Sequence, residues 1–346
     1  MAVSVKDVAA EASVSVGTVS NVLNRPEQVA PATAKRVQNA IDKLGFVRND
    51  AARQLRAGRS RSIGLVVLDS ANPFFAEVAR GAEERAAKSR VSVLVGNSGQ
   101  NAEREADYLR LFREQRVNGV LLTPTRLDED LLRVIRQSGL PTVLVDAASA
   151  DGEIASVSVD DVTGGRIAVQ HLIEQGCRRI AFVGGPSSLD QIADRLKGAE
   201  QAVAGTQNVS LRVVETKALT VLHGRDAGLE IAATDPHLRP DGVFCANDLV
   251  AMGVLQGTAI ISDLKVPDEL AIVGYDDIDF ASSSIVPITS VRQPAFKIGT
   301  TAVDLLNEAL RDPQSPPRQV KFRPELVVRE SSRPSASAAG RGNNGS

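Results

Sequence analysis

Short hydrogen-bonding side chains crowd the start of this sequence: Ser4, Asp7, Ser13, Ser15, Thr18, Ser20, Asn21 and Asn24 all fall within its first 24 residues. Hydroxyls and carboxamides at that density, near helix starts that also offer backbone N–H groups, suit phosphate oxygens. A second set follows apolar runs much further along: Asp69 and Asn72, Asp146, Asn247 and Asp248, and Asp276 and Asp277, with Arg195 between them in sequence. Carboxylates, amides and one guanidinium fork can each bond a pair of neighbouring hydroxyls, which is what a neutral polyhydroxylated ligand requires.

The first set needs helices to hold it. Ser4 with Asp7 three residues later approximates a capping box. Val5, Val8, Ala9 and Ala12 then recur at helical spacing. Ser13-Val14 breaks that stripe, and Ser15 offers a second cap before Val19, Val22 and Leu23 begin a new apolar face. Two short amphipathic helices joined by about four residues read as a helix-turn-helix, a unit that can lay one helix in a DNA major groove. Residues 31–45 predict a third helix, with Pro31 near its start, Gly45 at its end, and Val37, Ala40, Ile41 and Leu44 as its buried stripe. Three helices in some 45 residues make a core that is marginal alone. Residues 49–56 are helix-permissive and residues 58–62 linker-like, so this stretch is a hinge candidate.

The second set needs strands. Four apolar runs (63–69, 91–96, 119–123, 142–146) alternate with helical segments, and a second series follows at 179–184, 211–214, 242–245 and 270–275. Strands without alternation, spaced by helices, predict parallel sheets covered on both faces, and two series predict two lobes. Ligands of open α/β sheets bind beyond the strands' carboxyl ends. With two lobes facing one another, the strand-end groups converge on a cleft.

Composition narrows the classes. The chain has 346 residues, 43% hydrophobic and 24% charged, which allows two or three domains. It has no Trp and only 3% aromatic residues, which disfavours stacking platforms for single-stranded nucleic acid. Nine basic residues (Lys6, Arg25, Lys35, Arg36, Lys43, Arg48, Arg53, Arg56, Arg59) stand against five acidic ones (Asp7, Glu11, Glu27, Asp42, Asp50) in the first 60 positions, while the whole chain carries a formal charge of −2. A basic head on an acidic body suits an anionic polymer at one end. Cys177 and Cys245 lack metal spacing, the first residues lack a secretory apolar core, and no run reaches the roughly 20 apolar residues of a membrane span, so a cytoplasmic location is expected. The Ser-, Ala-, Gly- and Asn-rich end is expected to be a disordered tail. No phosphate-cradling G-x-x-x-x-G-K-[ST] or G-x-G-x-x-G follows a strand, and His171, His223 and His237 lie in unrelated segments, so catalysis is not expected. Paired aspartates at 160–161 and 276–277 point to opposite sides of an extended chain, which disfavours a metal. No cofactor is expected.

These residues together resemble the lactose-repressor (LacI/GalR) family of bacterial transcription regulators over nearly the whole chain. The motifs are Val5-Lys6-Asp7-Val8-Ala9, Val16-Gly17-Thr18-Val19-Ser20-Asn21-Val22-Leu23-Asn24, Ala51-Ala52-Arg53-Gln54-Leu55, Asn72-Pro73-Phe74-Phe75, Ala246-Asn247-Asp248 and Gly274-Tyr275-Asp276-Asp277. The resemblance implies an all-α helix-turn-helix DNA-binding head (1–48), a hinge helix and linker (49–61), a two-lobed α/β body like a periplasmic binding protein (62–331) with three crossings between lobes, and a tail (332–346). It implies a homodimer on a palindromic double-stranded operator. A solute receptor without a DNA role is the alternative, but it would need an export signal and would not start with a basic three-helix head.

Residue by residue, the resemblance implies DNA contacts for Ser4, Val5, Ser15, Val16, Gly17, Thr18, Ser20, Asn21, Asn24, Gln28, Asn49, Arg53 and Leu55. Many family members have Arg where this chain has Asn21, and Asn pairs with adenine where Arg pairs with guanine, so an altered operator preference is expected. Ala30 replaces a frequent Ser or Thr cap. Leu55 is expected to wedge into the minor groove and kink the duplex. Effector contacts are implied for Asn72, Phe74, Phe75, Asp146, Arg195, Asn247 and Asp276, an aromatic face covering the C–H side of a sugar ring. Relatives that bind purines or certain sugars often carry an aromatic near Leu219; residues 218–222 offer none, which favours a small sugar or sugar acid.

Overall fold

Ser4 starts the first helix, α1 (Val5–Glu11), by a reciprocal exchange: its hydroxyl accepts from the Asp7 backbone N–H while the Asp7 carboxylate accepts from the Ser4 N–H at 2.8 Å. Ser15 caps α2 (Val16–Asn24) through the Thr18 N–H at 3.0 Å. The α3 helix (Pro31–Leu44) opens on proline and stops at Gly45, whose φ of 60° is the left-handed conformation that favours glycine there. Ala30 makes no side-chain cap. Val8, Ala9, Ala12, Val19, Val37 and Ala40 form the shared core, while Val22, Leu23, Ile41 and Leu44 pack at its margin. The computed structural model describes residues 3–46, 61–149 and 151–333. The expected DNA contacts Asn49, Arg53 and Leu55, and most of the expected tail, lie outside these. The chain divides into two compact units, Met1–Arg59 and Ser60–Ser346.

In the second unit, β1 (Ser62–Val67), β2 (Ser92–Asn97), β3 (Val120–Leu122), β4 (Thr142–Val145), β5 (Ala155–Val159) and β11 (Gln319–Phe322) form one sheet, ordered β11-β5-β4-β3-β1-β2 and parallel throughout. The other sheet joins β6 (Arg179–Gly184), β7 (Ser210–Glu215), β8 (Gly242–Cys245), β9 (Ala271–Asp276), β10 (Thr289–Arg292) and β12 (Glu325–Val327), ordered β12-β10-β9-β8-β6-β7, with β12 antiparallel. Each sheet thus contains the four expected strands and two more. Ile63, Leu65 and Val67 enter one core cluster and Val66 another, because alternate side chains leave a strand on opposite faces and helices cover both.

The chain passes between the sheets three times: from β5 into α7 (Asp161–Glu174), from β10 into α12 (Ala295–Arg311), and from β11 to β12. The first-lobe helices are α4 (Pro73–Ala87), α5 (Ala102–Glu114) and α6 (Glu129–Ser138), joined by α12; the second lobe holds α7, α8 (Asp190–Ala204), α9 (Val221–Ala233), α10 (Asp248–Leu255) and the short α11 (Asp279–Ser282). In both sheets the order reverses beside the first strand, between β1 and β3 and between β6 and β8, the point at which open α/β sheets hold ligands. The folded body runs at least through Ser332, one residue past the expected boundary. Ser331 and Ser332 are buried, and the Ser332 hydroxyl lies 2.7 Å from His171 Nε2 and 2.6 Å from Thr289 Oγ1.

Candidate ligand cleft and nucleic-acid interface

Asp146 follows β4 and Asp276 ends β9, the equivalent places in the two sheets, and both backbones adopt positive φ, 55° and 102°. Strained backbone at a strand end turns the next side chain out of the ladder, and such residues concentrate at ligand sites. Between them lies a narrow cavity of about 40 Å³, well below the roughly 300–1,000 Å³ typical of small-molecule sites. All seven residues expected to touch the effector line it: Asn72, Phe74, Phe75, Asp146, Arg195, Asn247 and Asp276. Leu219 lines it too, so the non-aromatic wall expected there is present. Asp69, Gln100, Leu189, Gln191 and Ile192 also face the cavity and were not among the expected contacts.

Asn72 and Asn247 serve two purposes. Each carboxamide oxygen caps a helix, Asn72 Oδ1 accepting from Phe74 N–H at 3.0 Å and Asn247 Oδ1 from Val250 N–H at 2.9 Å. The Asn72 amide then donates across the cleft to Asp276 Oδ2 at 3.1 Å. Gln191 Nε2 likewise donates to the Asp146 carbonyl at 2.9 Å, and Leu127 N–H to Asp190 Oδ2 at 3.2 Å. Three hydrogen bonds therefore tie the lobes together around the cavity. Phe75 is both core and lining: it is buried, and its ring meets Phe74 edge-on at 5.0 Å.

Arg195 is less free than a ligand-seeking fork would be. Its Nε donates to Asp161 Oδ1 at 2.8 Å, its Nη1 to the Ala246 carbonyl at 2.7 Å, and its guanidinium stacks 3.7 Å from the centre of the Tyr275 ring. The pair is positioned by glycine contacts between α7 and α8: a Cβ on Gly165 would lie 1.9 Å from the Arg195 carbonyl oxygen, and one on Gly198 2.0 Å from that of Val162. Asp161 is the counter-ion of Arg195, while Asp160 caps α7. Burial works against charge on Arg195, but Asp161, with Tyr275, Asp276 and Asp146, outweighs it and holds the guanidinium more firmly protonated than usual. Burial pushes the Asp146 carboxyl well above the usual range, and Asp161 pushes in the same direction. Asp276 is raised by burial too, although Arg195 and the amides of Asn72 and Gln293 favour its ionised form.

In the first unit, Ser15, Val16, Gly17, Asn21 and Asn24 are exposed and Ser20 is half-buried. At about 100° per residue, Val16, Gly17, Ser20, Asn21 and Asn24 share one side of α2. Asn24 Nδ2 donates to the Ser20 carbonyl at 2.8 Å, and Thr18 Oγ1 sits 2.9 Å from Ser15 Oγ, so these groups brace one another. A Cβ on Gly17 would meet only Ser15 Oγ, at 3.5 Å. The unit's own packing thus has no need of glycine there. Ser4 and Gln28 are exposed and Val5 is half-buried.

Comparison with known proteins gives the same division. The description of bacterial regulatory proteins of the lacI family matches residues 4–49, and that of a periplasmic binding protein-like domain matches residues 169–332. An HTH-type transcriptional repressor PurR from Photobacterium profundum is 34% identical over 330 residues, 94% of this chain and 98% of its own length. An HTH-type transcriptional regulator RegA from Clostridium saccharobutylicum is 33% identical over 96% of this chain and 99% of its own. Among solved structures, a complex of the transcriptional regulator CelR with cellobiose is 32% identical with a TM-score of 0.69, covering 95% of this chain and 99% of that one. The lac repressor dimer bound to operator and the anti-inducer ONPF is 25% identical with a TM-score of 0.83, covering 96% and 100%. With a helix-turn-helix head, a two-lobed ligand-binding body and regulators rather than enzymes as relatives along its whole length, the chain belongs to the lacI family of DNA-binding transcriptional repressors.

Proposed function

We propose that this repressor grips a palindromic operator as a homodimer, and that a small sugar or sugar acid bound between the lobes of its body governs that grip. The observation carrying the reading is the cavity itself: strand-end carboxylates and amides from both lobes line it, and hydrogen bonds across it join the lobes. A ligand there would change the free energy of lobe closure, and closure would set the separation of the two hinges, residues 49–61, on DNA. A coupling of roughly 1–3 kcal/mol changes operator affinity about 5- to 150-fold. In this reading the effector is either an inducer or a corepressor, and the protein acts in the cytoplasm.

The head reads DNA through the exposed side of α2, and Gly17 supports this because a residue with no side chain lets backbone approach a partner closely. Asn21 reads a base edge, Ser4, Ser15, Thr18, Ser20 and Asn24 position phosphates, and Val5, Val16, Gln28, Asn49 and Arg53 complete the contact surface. Leu55 kinks the operator centre. The edge strands support dimerisation: Leu94 and Val95 on β2, and Val213 on β7, are exposed apolar side chains, as are Leu222 on the second lobe's α9 and Ile260 and Ile261 on the π-helical turn after α10. Apolar groups on unpaired strand edges invite burial by a second copy. One half-site per head then implies half-sites about one helical turn apart.

The test is a thermal-shift screen of sugars and sugar acids on the full-length protein. A ligand at 100 times its dissociation constant adds roughly 2.7 kcal/mol of stability. A hit that alters operator binding supports the proposal; a complete screen in which no sugar or sugar acid shifts the melting profile counts against it.

A further inference from the structure

Two of the bonds between the lobes meet at one short stretch of the second. Gln191 Nε2 donates to the Asp146 carbonyl, and the residue before it, Asp190, opens α8 and accepts from the Leu127 N–H at 3.2 Å. Gln191 and Ile192 then line the cavity. Leu127 belongs to the loop between β3 and α6, residues 123–128, which is fastened to its own lobe at three points. The Thr123 N–H donates to the Val66 carbonyl at 2.9 Å, Thr125 gives its N–H (2.7 Å) and its hydroxyl (3.1 Å) to Glu105 Oε2, and Asp128 caps α6 through the Leu131 N–H at 3.0 Å. Of these fastenings, the middle one depends on a buried ionisable group of another element, for Glu105 sits on the inner side of α5. Two residues separate Thr125 from the bond that reaches the other lobe.

We propose that Glu105 is a positioning residue for lobe closure: through Thr125 and Leu127 it holds the loop that grips the start of α8, and ionisation of Glu105 loosens that grip. This holds whatever ligand the cleft takes. Burial raises the Glu105 carboxyl to about 7, and the two bonds from Thr125, which favour the ionised form, offset only part of that. Thr125 covers Oε2, so lifting the loop lets water reach the carboxylate. The ionised form gains by that exposure, and rising pH therefore moves the balance toward the lifted loop. Asp128 acts in the same direction as burial and is itself paired with Arg126 at 2.7 Å. The other charges nearby lie at the surface: Glu103, Arg104 and Asp107 on α5 are exposed, as are Glu129 and Asp130 in the first turn of α6, while β1, β2 and β3 carry no ionisable side chain.

Hydrogen exchange of the full-length protein tests this, resolved to single amides by mass spectrometry with electron-transfer fragmentation and corrected for the chemical exchange rate at each pH. It reads the grip from both lobes: Thr125 and Leu127 in the loop, and in the first turn of α8 Ile192 and Ala193, whose N–H groups donate to the Leu189 carbonyl at 3.0 and 3.1 Å. The expected result is protection that is level at about pH 5–6 and falls at all four amides above about pH 7, by up to about 10-fold per unit. Glu105→Gln, which keeps an oxygen for Thr125 without a charge, should make all four independent of pH. Asp190 is exposed, so its variants test the same link without touching the core. Asp190→Ala should leave the response at Thr125 and remove it at Ile192 and Ala193, and Asp190→Asn, which keeps an acceptor for Leu127, should restore it. A parent response confined to the loop, or none at any of the four amides, overturns the inference. So does a response in α8 that survives Glu105→Gln, which would come from another group such as Asp146, or one that survives Asp190→Ala. No ligand is added, so each of these results leaves the reading of the cleft as an effector site standing.

Discussion

Glu105, on α5, is 1% exposed, yet the partners of its carboxylate are neutral: Thr125 donates to the same oxygen, Oε2, through its backbone N–H at 2.7 Å and its hydroxyl at 3.1 Å. Burial pushes the carboxyl from 4.5 up to about 7, partly offset by those two bonds and reinforced by Asp128. A carboxyl raised in the folded state binds its proton more tightly there than in the unfolded chain. Its contribution to stability is therefore complete below pH 4.5 and is lost as pH rises through about 7. The interval from 4.5 to about 7 corresponds to a loss of at most roughly 3 kcal/mol. Glu105→Gln keeps a carbonyl oxygen in place of Oε2 and removes the charge. We expect the variant to match the parent at about pH 4 and to exceed it by about 1–3 kcal/mol at about pH 8. Urea unfolding of the body, followed by far-UV circular dichroism at half-unit pH intervals, measures this directly. Parallel stability curves for the two proteins across that pH range would refute the reasoning.

Further expectations concern the cleft and the DNA contacts. Arg195→Met leaves Asp161 buried without a counter-ion and should cost about 3–5 kcal/mol in urea unfolding. Adding Asp161→Asn should recover most of that stability without recovering effector binding. Asn21→Arg should change the bases preferred in a binding-site selection from random duplexes, toward guanine at one position of each half-site; an unchanged consensus would remove Asn21 from base reading. Leu55→Ala should weaken operator binding far more than binding to random duplex, and equal losses would contradict the wedge assignment.

The helix caps and the central strands were legible because their signals are local. Ser4, Ser15 and Gly45 act within four residues, and runs such as residues 63–67 are apolar enough to declare a buried parallel strand. The two strands that each sheet adds beyond its series of four were not. Ser156 and Ser158 in β5 are buried yet polar, and β11 reads Gln319-Val320-Lys321-Phe322, so neither has an apolar run; they pair with one another across a long stretch of intervening chain. In the cleft, Asp146, Asn247 and Asp276 announced themselves by ending apolar runs. Gln191 and Ile192 did not, since they enter the cavity from the start of a helix after an irregular loop. Asp161 was hidden for another reason: its partner is 34 positions away on a neighbouring helix. The signal that could have found it is Gly164-Gly165, which lets α7 approach α8 and Tyr275 closely enough for that ion pair.

The central claim is that cleft and operator share one equilibrium. Its most direct measurement is fluorescence anisotropy of the full-length protein on the palindrome recovered by selection and on a scrambled duplex, each with and without a saturating cleft ligand. The account predicts preference for the palindrome and a change in its affinity of about 5- to 150-fold on adding the ligand, with the scrambled duplex little affected. Equal affinity for palindrome and scrambled duplex, unaltered by the ligand, would contradict it.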